Sequence, residues 1–395
     1  MKNLPNKESI INNDIEGLEK ELDQLLLKSI FDLAQGYRVS DEIIDISSAV
    51  VERKIKHTKN YGIYQQLVEI YYIEKLKGLT IDEALGVIKE LHSHILDEFY
   101  TVSCLCLLGI YYIYSGDYNS GVHFLSKSNG KNFKEGSPTR FFQYSKSIPF
   151  LGKHYNITRQ ENNQDINDYH ISNSESLKSL ILVSGDINYV YRFFDNYVKS
   201  IEKFSTSTLI HLHIIYEDAL TDCEKKFLDT IISKNKKISV TTEKIRHTIF
   251  DKRSYYACSR FLVAKYVLKK YKLPIVITDL DYELSRNIDP FIEIVKDYDV
   301  GLQKAQPSMV KHSIPWSRVL AGCVFVNNTK SGHEFLEHFE NLFHATYLPG
   351  NYNWGIDQNI LTAITQVWLN GECINLKNYP AIFPFTVPYE LKRAS

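Results

Sequence analysis

The segment from Ser254 to Pro290 constrains this chain most. Phe261, Leu262, Ala264, Val267 and Leu268 recur at the three-to-four spacing of one apolar helix face. Lys269, Lys270 and Lys272 follow, where the negative end of a helix favours cations. Pro274 bars continuation of the helix. The run Pro274–Thr278, PIVIT, is short, apolar and β-branched, which predicts a strand buried on both faces. A helix feeding such a strand belongs to an α/β sheet.

The surrounding sequence supplies the rest of that sheet. Strands are expected at Leu177–Ser184, Ser207–Tyr216, Ile238–Thr242, Asp299–Leu302 and Gly322–Asn327. Helices are expected at Val190–Phe204, Asp222–Lys234, Gly332–Phe343 and Asp357–Asn370, and the tail Cys373–Pro388 reads as strand and loop. The central strand runs straight into Asp279-Leu280-Asp281. In extended backbone, residues i and i+2 share a side, so the two acids are expected to project together. Paired carboxylates repel unless a cation lies between them, and Mg²⁺ or Mn²⁺ commonly bridges carboxylates to a diphosphate. On spacing alone a solvated acidic turn explains the same residues.

Ligands gather beyond the carboxyl ends of strands in open α/β sheets, which selects Ser184-Gly185-Asp186 after the first strand. Asp186 there is equally a helix-capping acid. Arg260, on the helix before the paired acids, can neutralise phosphate or form an ion pair with Asp279. Gly322 permits close approach of backbone to a ligand or eases strand packing. Asp357 and Gln358 open a helix, where an acid is favoured. Lys304 and His312 lie in or beside the loop before Gly322. Trp316 and Trp354 suit either sugar stacking or a core. His333 and His338 are five apart on one helix, which does not suit a zinc pair.

The chain has 395 residues, enough for two domains with their own cores. A net charge of −1 removes any global pull toward nucleic acid. No stretch approaches a membrane span, and the N-terminus lacks a signal-peptide core. Six cysteines are dispersed without a CxxC; the pair Cys104-x-Cys106 in an apolar helical run reads as buried thiols, and a reducing, cytoplasmic setting is expected. Residues 1–151 read as an α-helical domain, with Thr80 capping a helix over Ile81–His92. Leu105, Leu108, Gly109, Tyr112, Gly116, Asp117, Tyr118 and Gly121 resemble one tetratricopeptide repeat, implying a groove for a protein or peptide, or a homodimer surface. A plain helical bundle fits the same helices. Residues 152–176, rich in Asn, Asp, Gln and Ser, read as a linker, and 177–395 as the α/β domain.

Arg260-Phe261-Leu262, the strand, Asp279-Leu280-Asp281 and Asp289-Pro290-Phe291 resemble nucleotide-sugar glycosyltransferases of the GT-A fold, above all family 8 and its relatives. Leu320–Asn327 resembles that group's "NAG-apolar-apolar-N" strand, with Leu in place of its Asn. Trp354–Leu361 resembles its "DQ" helix start. The resemblance implies a hexosyltransferase that moves a sugar from a UDP-sugar to an acceptor hydroxyl, with retention of configuration. It implies Ser184 and Asp186 at the nucleotide base and Arg260 at the donor. Asp279 is implied at ribose and Mn²⁺ or Mg²⁺, and Asp281 at the metal. Gly322 and Asp357 are implied at the donor sugar, with Gln358 near the anomeric carbon. The family's C-terminal His ligand is absent, since no His follows His344; Asn375, Asn378 or water is the expected substitute. The acceptor is a glycan, or a protein or peptide held by the helical half. The competing reading is a degenerate transferase serving as a scaffold.

Overall fold

The structure is a computed structural model and describes residues 79–92, 108–109, 111–112, 117, 119–121, 123–124, 165–172, 177–245, 252–304, 319–347, 355–367 and 371–386. The chain divides into two compact units, one of Met1–Gly152 with Ala305–Arg318, the other of Lys153–Lys304 with Val319–Ser395. Among the described residues no helix is long and apolar enough to cross a membrane.

In the first unit, helix α1 (Ile81–His92) starts at a capping box: Thr80 N donates to Glu83 Oε2 at 2.8 Å, and Glu83 N reaches Thr80 Oγ1 at 3.5 Å. Asp117 starts the next described turn by accepting from Ser120 N at 3.1 Å. Tyr112 stacks on Phe124 with centroids 5.4 Å apart, closing that helical turn. The helices expected over 1–75, together with Cys104, Cys106 and Tyr118, lie outside the described residues.

The second unit is a mixed eight-stranded sheet. Its strands are β1 (Ile166–His170), β2 (Ser179–Asp186), β3 (Thr208–Tyr216), β4 (Ile238–Lys244), β5 (Ile275–Thr278), β7 (Val300–Lys304), β8 (Val319–Val326) and β9 (Cys373–Asn375), with a small pair formed by β6 (Glu283–Leu284) and β10 (Phe385–Thr386). The order is β1-β4-β3-β2-β5-β8-β7-β9. Strands β4, β3, β2 and β5 run parallel, while β8 is antiparallel to both β5 and β7. From β2 the chain winds outward through β3 and β4, then returns to place β5 on the other side of β2. The order therefore reverses between β2 and β5, and the crevice at their carboxyl ends is where such a sheet takes ligands.

Helices cover both faces, so β2, β3 and β5 are buried along almost their whole length. On one face α2 (Ile187–Phe204) sets Phe194, Tyr197 and Ile201 against Ile181, Val183, Ile210 and Leu212. Helix α3 (Asp222–Lys234) adds Leu228, and α5 (Asp289–Val295) adds Phe291. The other face carries α4 (Lys252–Tyr271), α6 (Lys330–Thr346) and α7 (Ile356–Val367). There Phe261 stacks on Phe339 with centroids 4.6 Å apart. Burying one such aromatic contributes about 1.5–3 kcal/mol.

Two expectations need correction. The connection 152–176 contains β1, an edge strand antiparallel to β4. Asp168 on it accepts from Tyr266 Oη at 2.7 Å and pairs with Lys270, both on α4. The second correction concerns the paired acids. Strand β5 stops at Thr278, and Tyr282 N donates to Asp279 O at 3.3 Å, so Asp279–Tyr282 is a turn. Strand alternation therefore does not set the direction of the two carboxylates.

Candidate active site

A cavity of about 440 Å³ opens at the carboxyl ends of β2 and β5. Its walls come from the end of β2 (Ser184, Asp186), from α4 (Arg253, Tyr256, Arg260), from Asp279 after β5, from Gly322 on β8, and from Asp357 and Gln358 on α7. Seven of the eight residues that the resemblance implies at the donor or metal thus meet in one place. The eighth, Asp281, does not line the cavity.

Arg260 is the centre of this arrangement. It is 6% exposed, and its guanidinium joins three segments that are far apart in sequence. Nη1 pairs with Asp279 Oδ1; Nη2 lies 3.2 Å from both the Ala321 carbonyl and Asp357 Oδ2. Burial opposes the charge, but Asp279 and Asp357 outweigh it and hold the guanidinium above its ordinary pKa. Asp357 is buried, and burial pushes its carboxyl up to about 6 despite Arg260. Its Oδ1 accepts from Gln358 N at 2.8 Å, which fixes the start of α7. Gly355 precedes that start with φ of 91°, a conformation glycine adopts freely.

The other wall residues follow from local chemistry. Asp186 caps α2, accepting from Tyr189 N at 2.8 Å, and still lines the cavity. Ser184 Oγ lies 2.8 Å from Ser259 Oγ on α4. A Cβ on Gly322 would stand 2.3 Å from Tyr282 Oη and 3.1 Å from Asp279 Oδ2, so only glycine fits beside them. Tyr197 Oη on α2 bonds to Thr278 Oγ1 and secures the backbone just before the first acid.

The two acids that the sequence suggested for a divalent cation are Asp279 and Asp281. Arg260 engages Oδ1 of Asp279, leaving Oδ2 facing Gly322. Asp281 has its pKa raised, first by burial and then by the charge of Asp279. Two half-shielded carboxylates that repel each other suit a hard cation whose remaining ligands are diphosphate oxygens and water. Among the described residues no group of three or more His, Cys, Asp and Glu side chains is placed to hold a metal ion. Asn375 Oδ1 accepts from Lys304 N at 3.1 Å and Lys377 N at 3.2 Å, and Asn375 does not line the cavity. Asn378 is likewise absent from that wall. His333 bonds to Asn328 Oδ1 at 3.1 Å, remote from any metal set. His312, Trp316 and Trp354 lie outside the described residues.

Tyr189 and Tyr256 also line the cavity and were not singled out from the sequence. Tyr189 sits one turn beyond Asp186, a position that its capping role makes adjacent to the β2 exit. Tyr256 could have been found as the residue one helical turn before Arg260, on the same face.

No protein-family model matches the chain, and no curated protein does. Among solved structures, the apo-form glycosyltransferase GlyE of Streptococcus pneumoniae TIGR4 aligns at 15% identity over 51% of this chain and 46% of its own, with a TM-score of 0.35. The chain thus spans about half the length of GlyE. The apo WbbM bifunctional glycosyltransferase aligns at 12% identity over 79% of this chain and 59% of its own, TM-score 0.36. Apo mouse xyloside xylosyltransferase 1 aligns at 14% identity over 47% of this chain and 81% of its own, TM-score 0.31. At these TM-scores the likeness fixes neither the fold family nor the chemistry.

Proposed function

We propose that the sheet unit is a GT-A-type glycosyltransferase that moves a hexose from a UDP-sugar to an acceptor hydroxyl with retention of configuration. One observation supports it above the others. The segments whose motifs resemble family 8, at Arg260, Asp279, Gly322 and Asp357-Gln358, line a single cavity at the reversal of strand order. Its volume, about 440 Å³, falls in the range of small-molecule sites.

In this reading Ser184 and Asp186 face the nucleobase. Arg260 holds Asp279 in place and adds positive field toward the diphosphate. Asp279 and Asp281 hold Mn²⁺ or Mg²⁺, which when bound neutralises charge on the departing nucleoside diphosphate. Gly322 lets the sugar approach β8. Asp357 orients sugar hydroxyls, and Gln358 lies beside the anomeric carbon. The acceptor is a glycan, or a protein or peptide bound by the helical unit.

A second reading, a non-catalytic scaffold, draws on the engagement of Asp279 by Arg260. A donor-hydrolysis screen across nucleotide sugars, with and without Mn²⁺, separates the two. The transferase releases UDP only with the metal, and Asp279→Ala or Asp281→Ala lowers that release about a hundredfold or more. Failure to turn over any nucleotide sugar favours the scaffold.

A further inference from the structure

We propose that Ser259, which does not line the cavity, determines which nucleobases the cavity accepts, acting through Ser184. The inference rests on the nucleotide-sugar reading above and concerns the base end of that same site. Ser184 Oγ and Ser259 Oγ are 2.8 Å apart, and Ser259 Oγ is 2.7 Å from the carbonyl oxygen of Tyr256. Each hydroxyl carries one proton. Were the Ser259 proton directed to Ser184, Ser259 and the Tyr256 carbonyl would be two oxygens 2.7 Å apart with no hydrogen between them. The arrangement in which both contacts are hydrogen bonds runs one way: Ser184 donates to Ser259, and Ser259 donates to Tyr256.

The neighbouring side chain on β3 does not alter this. His213, the register partner of Ser184, has Nδ1 engaged by Thr241 Oγ1 at 3.0 Å and Nε2 by Glu243 Oε2 at 3.1 Å. The Ser184 proton is therefore committed to Ser259, and Ser184 offers a ligand only lone pairs. That end of the cavity takes a group that donates a hydrogen, such as uracil N3–H. It disfavours cytosine, whose N3 is an acceptor and would face the Ser184 oxygen without a proton.

The test is calorimetric titration of the full chain with UDP and with CDP, both in Mn²⁺, for the wild type, Ser259→Ala and Ser184→Ala. The wild type is expected to favour UDP by about tenfold or more. Ser259→Ala frees the Ser184 proton, so CDP binding strengthens and the preference shrinks about tenfold. Ser184→Ala narrows the preference by the opposite route, weakening UDP while CDP changes little. A Ser259→Ala variant with the wild-type ratio, or one weakened equally toward both nucleotides, overturns the proposal, because a merely structural serine moves both together. A wild type that favours CDP overturns it as well. A wild type that binds neither nucleotide removes the nucleotide-sugar reading itself.

Discussion

Arg260 shows how much one buried side chain decides here. Its guanidinium holds two carboxylates and a carbonyl that come from three segments. Arg260→Ala leaves Asp357 buried without its cation, and loss of one partner from a buried pair typically costs about 3–5 kcal/mol. Urea unfolding should register a loss of that size. Arg260→Lys keeps the charge but cannot fork to Asp279 and Asp357 together, so a smaller loss of stability and weaker UDP binding are expected. Gly322→Ala is the steric counterpart. The added methyl meets Tyr282 Oη at 2.3 Å, and an overpacked site of this kind costs about 1–3 kcal/mol. Thermal unfolding of Gly322→Ala checks it, and an unchanged Tm would mean Tyr282 moves aside freely.

At the scale of single elements, local signals were legible where the chain states its own caps. Helix α3 begins at the expected Asp222 because Thr221 and Glu224 form a capping box, with Thr221 N donating to Glu224 Oε2 at 2.6 Å. Thr221→Ala is expected to lower stability by about 1 kcal/mol, read from the urea midpoint. Helix α4 ends at Tyr271 and is followed by Lys272, whose φ of 56° is left-handed, with its N–H donating to Leu268 O at 3.0 Å. A side chain in that conformation is disfavoured, so Lys272→Gly is expected to raise stability by about 0.5–1 kcal/mol. Elements defined by partners were not legible. Strand β1 carries Asn167 and Asp168 and is recruited by β4 and by Tyr266 and Lys270, none of them near it in sequence. Strands β6 and β10 have two residues each, too short for any periodicity, and exist because they pair with each other. The turn at Asp279–Tyr282 was hidden because an apolar run says where a strand lies but not at which residue it bends.

For the whole molecule, the strand order is the fact that turns scattered motifs into a site. The sequence announced Ser184, Arg260, Asp279, Gly322 and Asp357 one by one, while the reversal between β2 and β5 that unites them rests on long-range pairing. The sheet also sets the molecule's response to acid. His211 on β3 is fully buried, bonded to Thr241 Oγ1 at 2.9 Å, and burial with the nearby His213 lowers its pKa to about 3. The unfolded chain takes up a proton there below about pH 6.5, whereas the folded chain resists until about pH 3. Stability due to this group is complete above pH 6.5 and is lost as pH falls, by about 1.4 kcal/mol per pH unit. The stability difference between the wild type and His211→Gln, measured by urea unfolding from pH 7 to 4.5, should fall with that slope, and a difference that ignores pH would contradict it. The central claim, that Asp279 and Asp281 hold a cation and a nucleoside diphosphate together, is tested most directly by titrating UDP into the protein with and without Mn²⁺. The account predicts heat that requires the metal and disappears in both Asp279→Ala and Asp281→Ala; UDP binding that ignores the metal, or that survives both substitutions, would contradict it.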